Sequence, residues 1–260
     1  MNDKKLGPMF YALNDVAGDC GFEGRFIAQR GNIPQCYNRR DDITVHLSKA
    51  GIEMLSRGDV DGAKKYRAMM LSAWWRLKEL DVPGYEGLSF DADAAQEMIE
   101  YFVVLFAYPL IFGGEVILEK LPTPYDFSPS EDNPEFKRNV NYEMTFPAWL
   151  AGVADAPGEL GKMVQGRLLD SRLTFEDRVE LLERLISASK EILFFLEQFI
   201  GVGIPDYILN SSRRKGFYNT YRGKLFGVVG VIRKNQEELT TMKNLASIMS
   251  KFSIPERKEA

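Results

Sequence analysis

The chain has 260 residues, of which 45% are hydrophobic and 27% charged, enough apolar material to bury a sizeable core beneath a solvated surface. No run of about 18 uncharged apolar residues occurs and no signal-like apolar segment follows the first residues, so we expect a cytoplasmic protein without membrane contact. His46 is the only histidine beside two cysteines, which argues against zinc sites and histidine-based triads. Hydrolytic chemistry in this chain would therefore rest on carboxylates.

Most of the chain follows a helical pattern. Glycines interrupt the apolar residues of positions 1–37, so this N-terminal segment is predicted to be irregular or a broken helix. Farther along, apolar residues recur every three or four positions, which is the period of an amphipathic helix. Thr174 and Asp177 give one of these helices a start that resembles a capping box. The predicted helices cover residues 38–57, 59–80, 92–112, 147–169, 175–202 and 211–249.

One long interruption divides these helices. Residues 119–145 contain four prolines and an acidic stretch, with neither strand alternation nor a helical stripe, and they predict a long surface loop. Residues 38–250 then form a single helical domain, and residues 251–260 a flexible C-terminal tail. No convincing strand remains, so the predicted fold class is all-α, a bundle of about six or seven helices.

The predicted helix 92–112 carries two glutamates on one face. Glu97 and Glu100 are three residues apart, which places their β-carbons about 5–6 Å from each other on an α-helix. The helix is apolar nearly all round, so both should be largely buried. Adjacent buried carboxylates repel each other unless a positive charge lies between them, and a divalent cation would supply that charge.

The next predicted helix carries a second acidic pair. Asp155 and Glu159 are four residues apart and again share a face. Packed beside Glu97 and Glu100, they could offer four oxygen-rich groups to one or two Mg²⁺ or Mn²⁺ ions. Such an ion can activate water and stabilise charge on a phosphoryl oxygen. Acidic pairs at these spacings are also common on solvated helix faces and in ion pairs, so spacing alone leaves both interpretations open.

The charge balance gives nucleic-acid binding no overall support, because the formal net charge is −4. Local basic clusters could still contact phosphates, with nearby tyrosines stacking on bases. The alternative is that these clusters are solvated surface. The candidate nucleic-acid contacts are Arg39, Arg40, Arg213, Arg214, Lys215 and Arg222, and the second cluster runs on to Lys224.

At the two acidic pairs the sequence resembles the translin family, in particular translin-associated factor X and its archaeal relatives. The family motif Gln-Glu-x-x-Glu-Ala stands here as Gln96-Glu97-Met98-Ile99-Glu100-Tyr101. The family motif Tyr-Leu-x-Gly-x-Ala-Asp-x-x-Gly-Glu-Leu stands here as Trp149-Leu150-Ala151-Gly152-Val153-Ala154-Asp155-Ala156-Pro157-Gly158-Glu159-Leu160. Arg39-Arg40-Asp41-Asp42-Ile43-Thr44-Val45 is similar to a third family segment, and the resemblance covers about residues 39–244.

This resemblance implies a seven-helix α-α superhelical subunit of the translin type. It implies assembly into a hollow octamer, either as a homo-oligomer or with a separate translin-type subunit. It assigns Glu97, Glu100, Asp155 and Glu159 to Mg²⁺ (or Mn²⁺) binding and catalysis, in an endoribonuclease that hydrolyses single-stranded RNA. Two departures bear on the site: Tyr101 replaces a small alanine, and Pro157 lies between Asp155 and Glu159.

Two other functions remain open from the residues. The chain could be a non-catalytic scaffold that binds single-stranded RNA or DNA, with the carboxylates in a structural role. It could also be an all-α nucleotide pyrophosphatase, a class that likewise places Glu-x-x-Glu helices around Mg²⁺. The first would bind RNA without cleaving it, and the second would hydrolyse free nucleotides.

Overall fold

A computed structural model describes residues 38–80, 90–200 and 221–252, apart from residues 39, 135 and 139. These residues form six α-helices and no strand, which confirms the predicted all-α class. A π-helical segment, Asp42–Leu47, leads directly into the first helix. The predictions for residues 1–37 and for most of the tail lie outside the described residues. The helices are α1 Ser48–Ser56, α2 Val60–Leu80, α3 Phe90–Phe112, α4 Phe146–Leu168, α5 Phe175–Glu197 and α6 Tyr221–Phe252.

Two helices begin where the sequence has strong capping residues. The Thr145 side chain accepts a hydrogen bond from the backbone N–H of Ala148 at the start of α4. The predicted capping box at α5 is confirmed, since the Asp177 N–H donates to the Thr174 hydroxyl and the Thr174 N–H donates to the Asp177 carboxylate. These caps fix where α4 and α5 start.

Helix α3 is the centre of the fold. It contacts α1, α2, α4 and α5, with its longest contact along α4. Its segment Ala92–Phe112 is long and apolar enough to cross a membrane by length and composition, with a mean hydropathy of 1.3. Of the most apolar stretch, 61% is buried inside the protein, and two glutamates interrupt it. That pattern is typical of the core helix of a helical bundle.

The segment between α3 and α4 contains no helix, but it is more than a surface loop. The indole N–H of Trp74 donates to the Tyr142 carbonyl at 2.9 Å, and that of Trp75 donates to the Phe127 carbonyl at 2.7 Å. These hydrogen bonds and several buried side chains attach the segment to the core, which proline content alone does not indicate. Its buried side chains are Ile117, Leu118, Phe127, Tyr142 and Met144.

Two glycines allow the close contacts around α3. A β-carbon at Gly152 of α4 would lie 2.4 Å from the Gln96 carbonyl oxygen and 2.7 Å from the Ile99 β-carbon. A β-carbon at Gly51 of α1 would lie 2.5 Å from the Tyr101 ring, whose hydroxyl donates to the Ala63 carbonyl at 2.7 Å. The glycine at position 51 therefore makes room for the bulky Tyr101. Helix α4 also continues past its internal proline to Leu168.

We expect Gly152→Ala to destabilise the protein by about 1–3 kcal/mol, because its methyl group would force α3 and α4 apart. The measurement is urea unfolding followed by circular dichroism. Gly166→Ala is the matched control on the same helix, with nothing within 4 Å of the added carbon. The control should be neutral or stabilising by up to about 1 kcal/mol. Equal stability changes in the two variants would contradict the close contact at Gly152.

Candidate functional site

The four predicted carboxylates lie on the facing sides of α3 and α4. Glu97, Glu100 and Glu159 line a cleft of about 580 Å³ between α1, α3 and α4. Asp155 lies close enough to raise the pKa of both Glu97 and Glu100 by its charge. Lysines at positions 49 and 162 also line the cleft. The fold thus brings the two acidic pairs together.

Glu100 is the most deeply buried of the four, with 7% of its surface exposed. Among the described residues, no side chain or backbone group hydrogen-bonds or ion-pairs with its carboxylate. Burial raises the pKa of Glu100 well above the ordinary value of 4.5, and the charges of Glu97, Asp155 and Glu159 raise it further. A buried carboxylate without a partner is costly, so this position favours a proton or a cation.

Glu97 is half-buried and has a weak local partner. The hydroxyl of Ser48 donates a long hydrogen bond of 3.5 Å to its carboxylate. Burial raises the pKa of Glu97, the Asp155 charge adds to the rise, and Lys49 and Lys224 oppose it. The Glu97 carboxylate therefore lies in the same electrostatic environment as Glu100.

Asp155 is held by two donors from two different helices. The Gln96 side-chain amide donates to its carboxylate at 2.7 Å, and the Lys224 ammonium from α6 forms an ion pair with the same oxygen. Burial still raises the pKa of Asp155, although Lys224 acts against that rise. Asp155 is thus the carboxylate of the site whose charge is already balanced.

Glu159 has a more exposed partner. Lys162, one turn along α4, forms an ion pair with Glu159 at 2.5 Å, and its side chain is 72% exposed. The hydrogen bond to Glu159 raises the pKa of Lys162. Exposed pairs of this kind contribute only about 0–1 kcal/mol. Lys162 therefore leaves Glu159 available to another ligand.

The chemistry of this donor set fits a hard divalent cation such as Mg²⁺, because all four groups are carboxylates and one is buried without a partner. The positions of the four carboxylates fit a shared metal ion less well than their chemistry does. Throughout the described ranges, no three aspartate, glutamate, histidine or cysteine side chains converge closely enough to hold a metal ion as they stand. Asp155 and Glu159 are instead paired with lysines. Side-chain rearrangement would be needed for joint coordination.

Of the six predicted nucleic-acid contacts, the structure describes two. Arg40 pairs with the neighbouring Asp41 at 2.6 Å, and Arg222 lies on an exposed face of α6. Arg39, Arg213, Arg214 and Lys215 lie outside the described residues. RNA binding through these six residues therefore stays a prediction.

Lys224 belongs to the site, although the sequence pattern groups it with the basic cluster that precedes it. Its side chain is only 10% exposed. It follows Tyr221 by three residues and precedes Val228 by four, and both of these are buried. The helical spacing of α6 could therefore have placed Lys224 on the inward side.

A second cleft of about 310 Å³ lies where α1, α3, α4 and α5 meet. Its arginines are already satisfied, because Arg167 pairs with Asp170 at 3.4 Å and Arg184 pairs with Glu180 at 2.5 Å. It holds no set of neighbouring buried carboxylates. The acidic cleft is therefore the better candidate site.

Solved structures of the C3PO type share this fold. AfC3PO in complex with duplex RNA aligns with a TM-score of 0.57 and 19% identity over 89% of this chain and 97% of that chain. AfC3PO itself aligns with a TM-score of 0.56 and 20% identity over 90% and 98%. NeC3PO in its apo form aligns with a TM-score of 0.57 and 18% identity over 92% and 99%. These are translin-family structures, so the chain has the translin-type helical fold.

No protein-family model and no curated protein matches the chain. At 18–20% identity, the structural likeness establishes the fold alone.

The raised pKa of Glu100 predicts a pH-dependent stability. The folded protein binds the Glu100 proton more tightly than the unfolded chain does. The stability that this proton contributes is therefore fully present below about pH 4.5, the ordinary pKa of a glutamate, and is lost as the pH rises through the pKa of Glu100 in the folded protein. Glu100→Gln carries no charge. We expect the variant to be more stable than the parent at about pH 7 and to lose that advantage near pH 4, in urea unfolding with a chelator present.

Glu237→Gln is the matched control, since Glu237 lies on an exposed face of α6 near Arg233. Its difference from the parent should be small at both pH values. A stability difference for Glu100→Gln that stays constant with pH would show that Glu100 is not held in a charge-excluding environment.

Proposed function

We propose that this chain, which has the translin-type fold, is a metal-dependent endoribonuclease that hydrolyses single-stranded RNA at the α3–α4 cleft. The observation that carries the proposal is the buried Glu100, without a partner among the described residues and surrounded by three further carboxylates. A fold gains nothing from such a cluster unless a cation neutralises it. A cleft beside it leaves space for a substrate.

In this proposal Glu97, Glu100, Asp155 and Glu159 hold Mg²⁺ or Mn²⁺. A divalent ion bound there would lower the pKa of a water molecule and stabilise charge on a phosphodiester oxygen. One of the carboxylates would orient that water. Tyr101 does not obstruct the site, because its ring packs against Gly51.

The RNA part of the proposal is supported by the cleft rim and by a structural neighbour. AfC3PO has been solved with duplex RNA. Lys49 is exposed at the rim, and Lys162 is exposed beside Glu159, so both can approach a phosphate backbone. We propose single-stranded RNA as the substrate. Assembly as a homo-oligomer or with a translin-type partner subunit, in an octamer, belongs to the same proposal.

The second candidate function is RNA binding without cleavage. It is favoured by the Lys224–Asp155 ion pair, which already balances one of the four charges, and by the lack of three converging ligands among the described residues. Under this alternative the carboxylates would be structural. The two candidates differ in a single measurable step, the metal-dependent loss of intact RNA.

We expect Glu100→Gln and Glu159→Gln each to reduce the rate of single-stranded RNA cleavage in Mg²⁺ or Mn²⁺ by about 100-fold or more, because each loses a charged ligand. The assay follows a labelled single-stranded RNA, with a duplex RNA and a free nucleoside triphosphate as separate substrates. Circular dichroism checks that the variants remain folded. Glu237→Gln should cleave at the parent rate.

Each other result would change the assignment. RNA binding without cleavage by the parent at any metal concentration would favour the non-catalytic scaffold. Turnover of the nucleoside triphosphate alone would favour the pyrophosphatase. Full cleavage by Glu159→Gln would remove the proposed site.

A further inference from the structure

Lys224 extends from α6 to the acidic residues of α3 and α4, close enough for its charge to act on three of them. Its ammonium pairs with Asp155, and its side chain is 10% exposed, against 72% for Lys162 in the pair with Glu159. The Gln96 amide holds the same Asp155 oxygen at 2.7 Å. Lys224 is thus an internal cation of the site, whereas Lys162 belongs to its rim.

The backbone of α6 holds Lys224 in this position. Tyr221, Leu225, Val228 and Ile232 are buried on the inward side of that helix, and Lys224 lies among them in the helical sequence. Burying an ammonium is unfavourable unless a carboxylate compensates it. Asp155 is the compensating group, so separation of Lys224 from it is unfavourable unless another cation takes its place.

The charge of Lys224 acts on more than its direct partner. It favours the charged forms of Glu97 and Glu100 as well as that of Asp155. This is the electrostatic role that the proposed divalent ion would also perform. Two cations within a few ångströms repel each other strongly in a partly buried site. Asp155 Oδ2 already accepts hydrogen bonds from Gln96 and Lys224, so a metal ion that binds this oxygen competes with these donors and is repelled by the ammonium.

We propose that Lys224 is a built-in competitor of the metal ion: it occupies Asp155 until a divalent cation displaces its ammonium from that carboxylate. The inference rests on the proposed metal site, but it concerns how that site is filled. It gives a role to the ion pair between Lys224 and Asp155. It makes Lys224 a positioning residue that sets metal affinity.

The first test measures Lys224 in the unaltered protein. An amine-reactive succinimidyl ester is added with a chelator or with Mn²⁺, and the label on each lysine is quantified by mass spectrometry. We expect Lys224 to react slowly in chelator and several-fold faster with Mn²⁺. Lys243, which pairs with Glu183 at 2.7 Å on another surface, is the internal control and should not change. Unchanged or slower labelling of Lys224 with Mn²⁺ would overturn the inference.

The second test measures Mn²⁺ affinity by calorimetry, without RNA. Lys224→Met should bind Mn²⁺ at least about tenfold more tightly than the parent. A tenfold change in Kd corresponds to about 1.4 kcal/mol of binding free energy, which the parent would spend on displacing Lys224. The matched variant Lys162→Met removes an exposed lysine from another carboxylate of the site and should change affinity by at most about fivefold. Lys224→Gln is a second variant that retains a hydrogen-bond donor for Asp155, in case the methionine variant does not fold.

The outcomes separate this inference from the proposed function. Tight Mn²⁺ binding by the parent with no gain in either Lys224 variant would overturn the competition but leave the metal site standing. Weaker binding in both Lys224 variants would also overturn it, since the lysine would then support the metal. Binding only after Lys224 is replaced would overturn displacement by the metal ion and show that the parent is not metal-loaded. Absence of binding in every protein would remove the metal site and the competition together.

Discussion

The close contact between α3 and α4 is the constraint on which the site depends. Gly152 has no side chain, so the backbone of α4 lies directly against the Gln96 carbonyl and the Ile99 side chain. The acidic pair of α4 lies within about two helical turns of Gly152, and each glutamate of α3 directly follows a contacted residue, so the contact brings the two pairs together. A larger residue at position 152 would separate the helices and with them the two acidic pairs.

That contact brings four carboxylates close enough to repel one another, and nearby lysines compensate only part of their negative charge. Asp155 is balanced by Lys224, and Glu159 by the exposed Lys162. The charges of Lys49 and Lys224 lower the pKa of Glu97 without direct contact, while Glu100 has no hydrogen-bond or ion-pair partner in the described residues. The remaining repulsion lies at the most buried position. A divalent cation has the charge to balance these carboxylates and prefers oxygen ligands.

Periodicity and capping chemistry allowed much of the fold to be predicted. Residues 59–80, 92–112 and 147–169 were predicted as helices and closely match α2, α3 and α4, because the apolar spacing and caps act locally. The four acidic positions could be paired from spacing because each pair lies within one helix. Packing between helices was harder. The burial of Tyr142 and Phe127 depends on tertiary contacts with Trp74 and Trp75 that no local pattern encodes.

The position of Lys224 in the site also depends on tertiary packing that local sequence patterns do not predict. Its neighbours in the sequence are basic and aromatic, which favoured a surface interpretation, but the inward side of α6 includes it. Which carboxylate it meets depends on how α6 packs on α4. Long-range pairing of this kind follows from the tertiary fold and not from a motif.

The most direct measurement of the central claim is anomalous diffraction from crystals soaked in Mn²⁺. The account predicts a manganese peak in the α3–α4 cleft, with carboxylate oxygens of Glu97, Glu100, Asp155 and Glu159 at about 2.0–2.3 Å from it. Manganese bound only at exposed carboxylates, with Glu100 still unliganded, would contradict it.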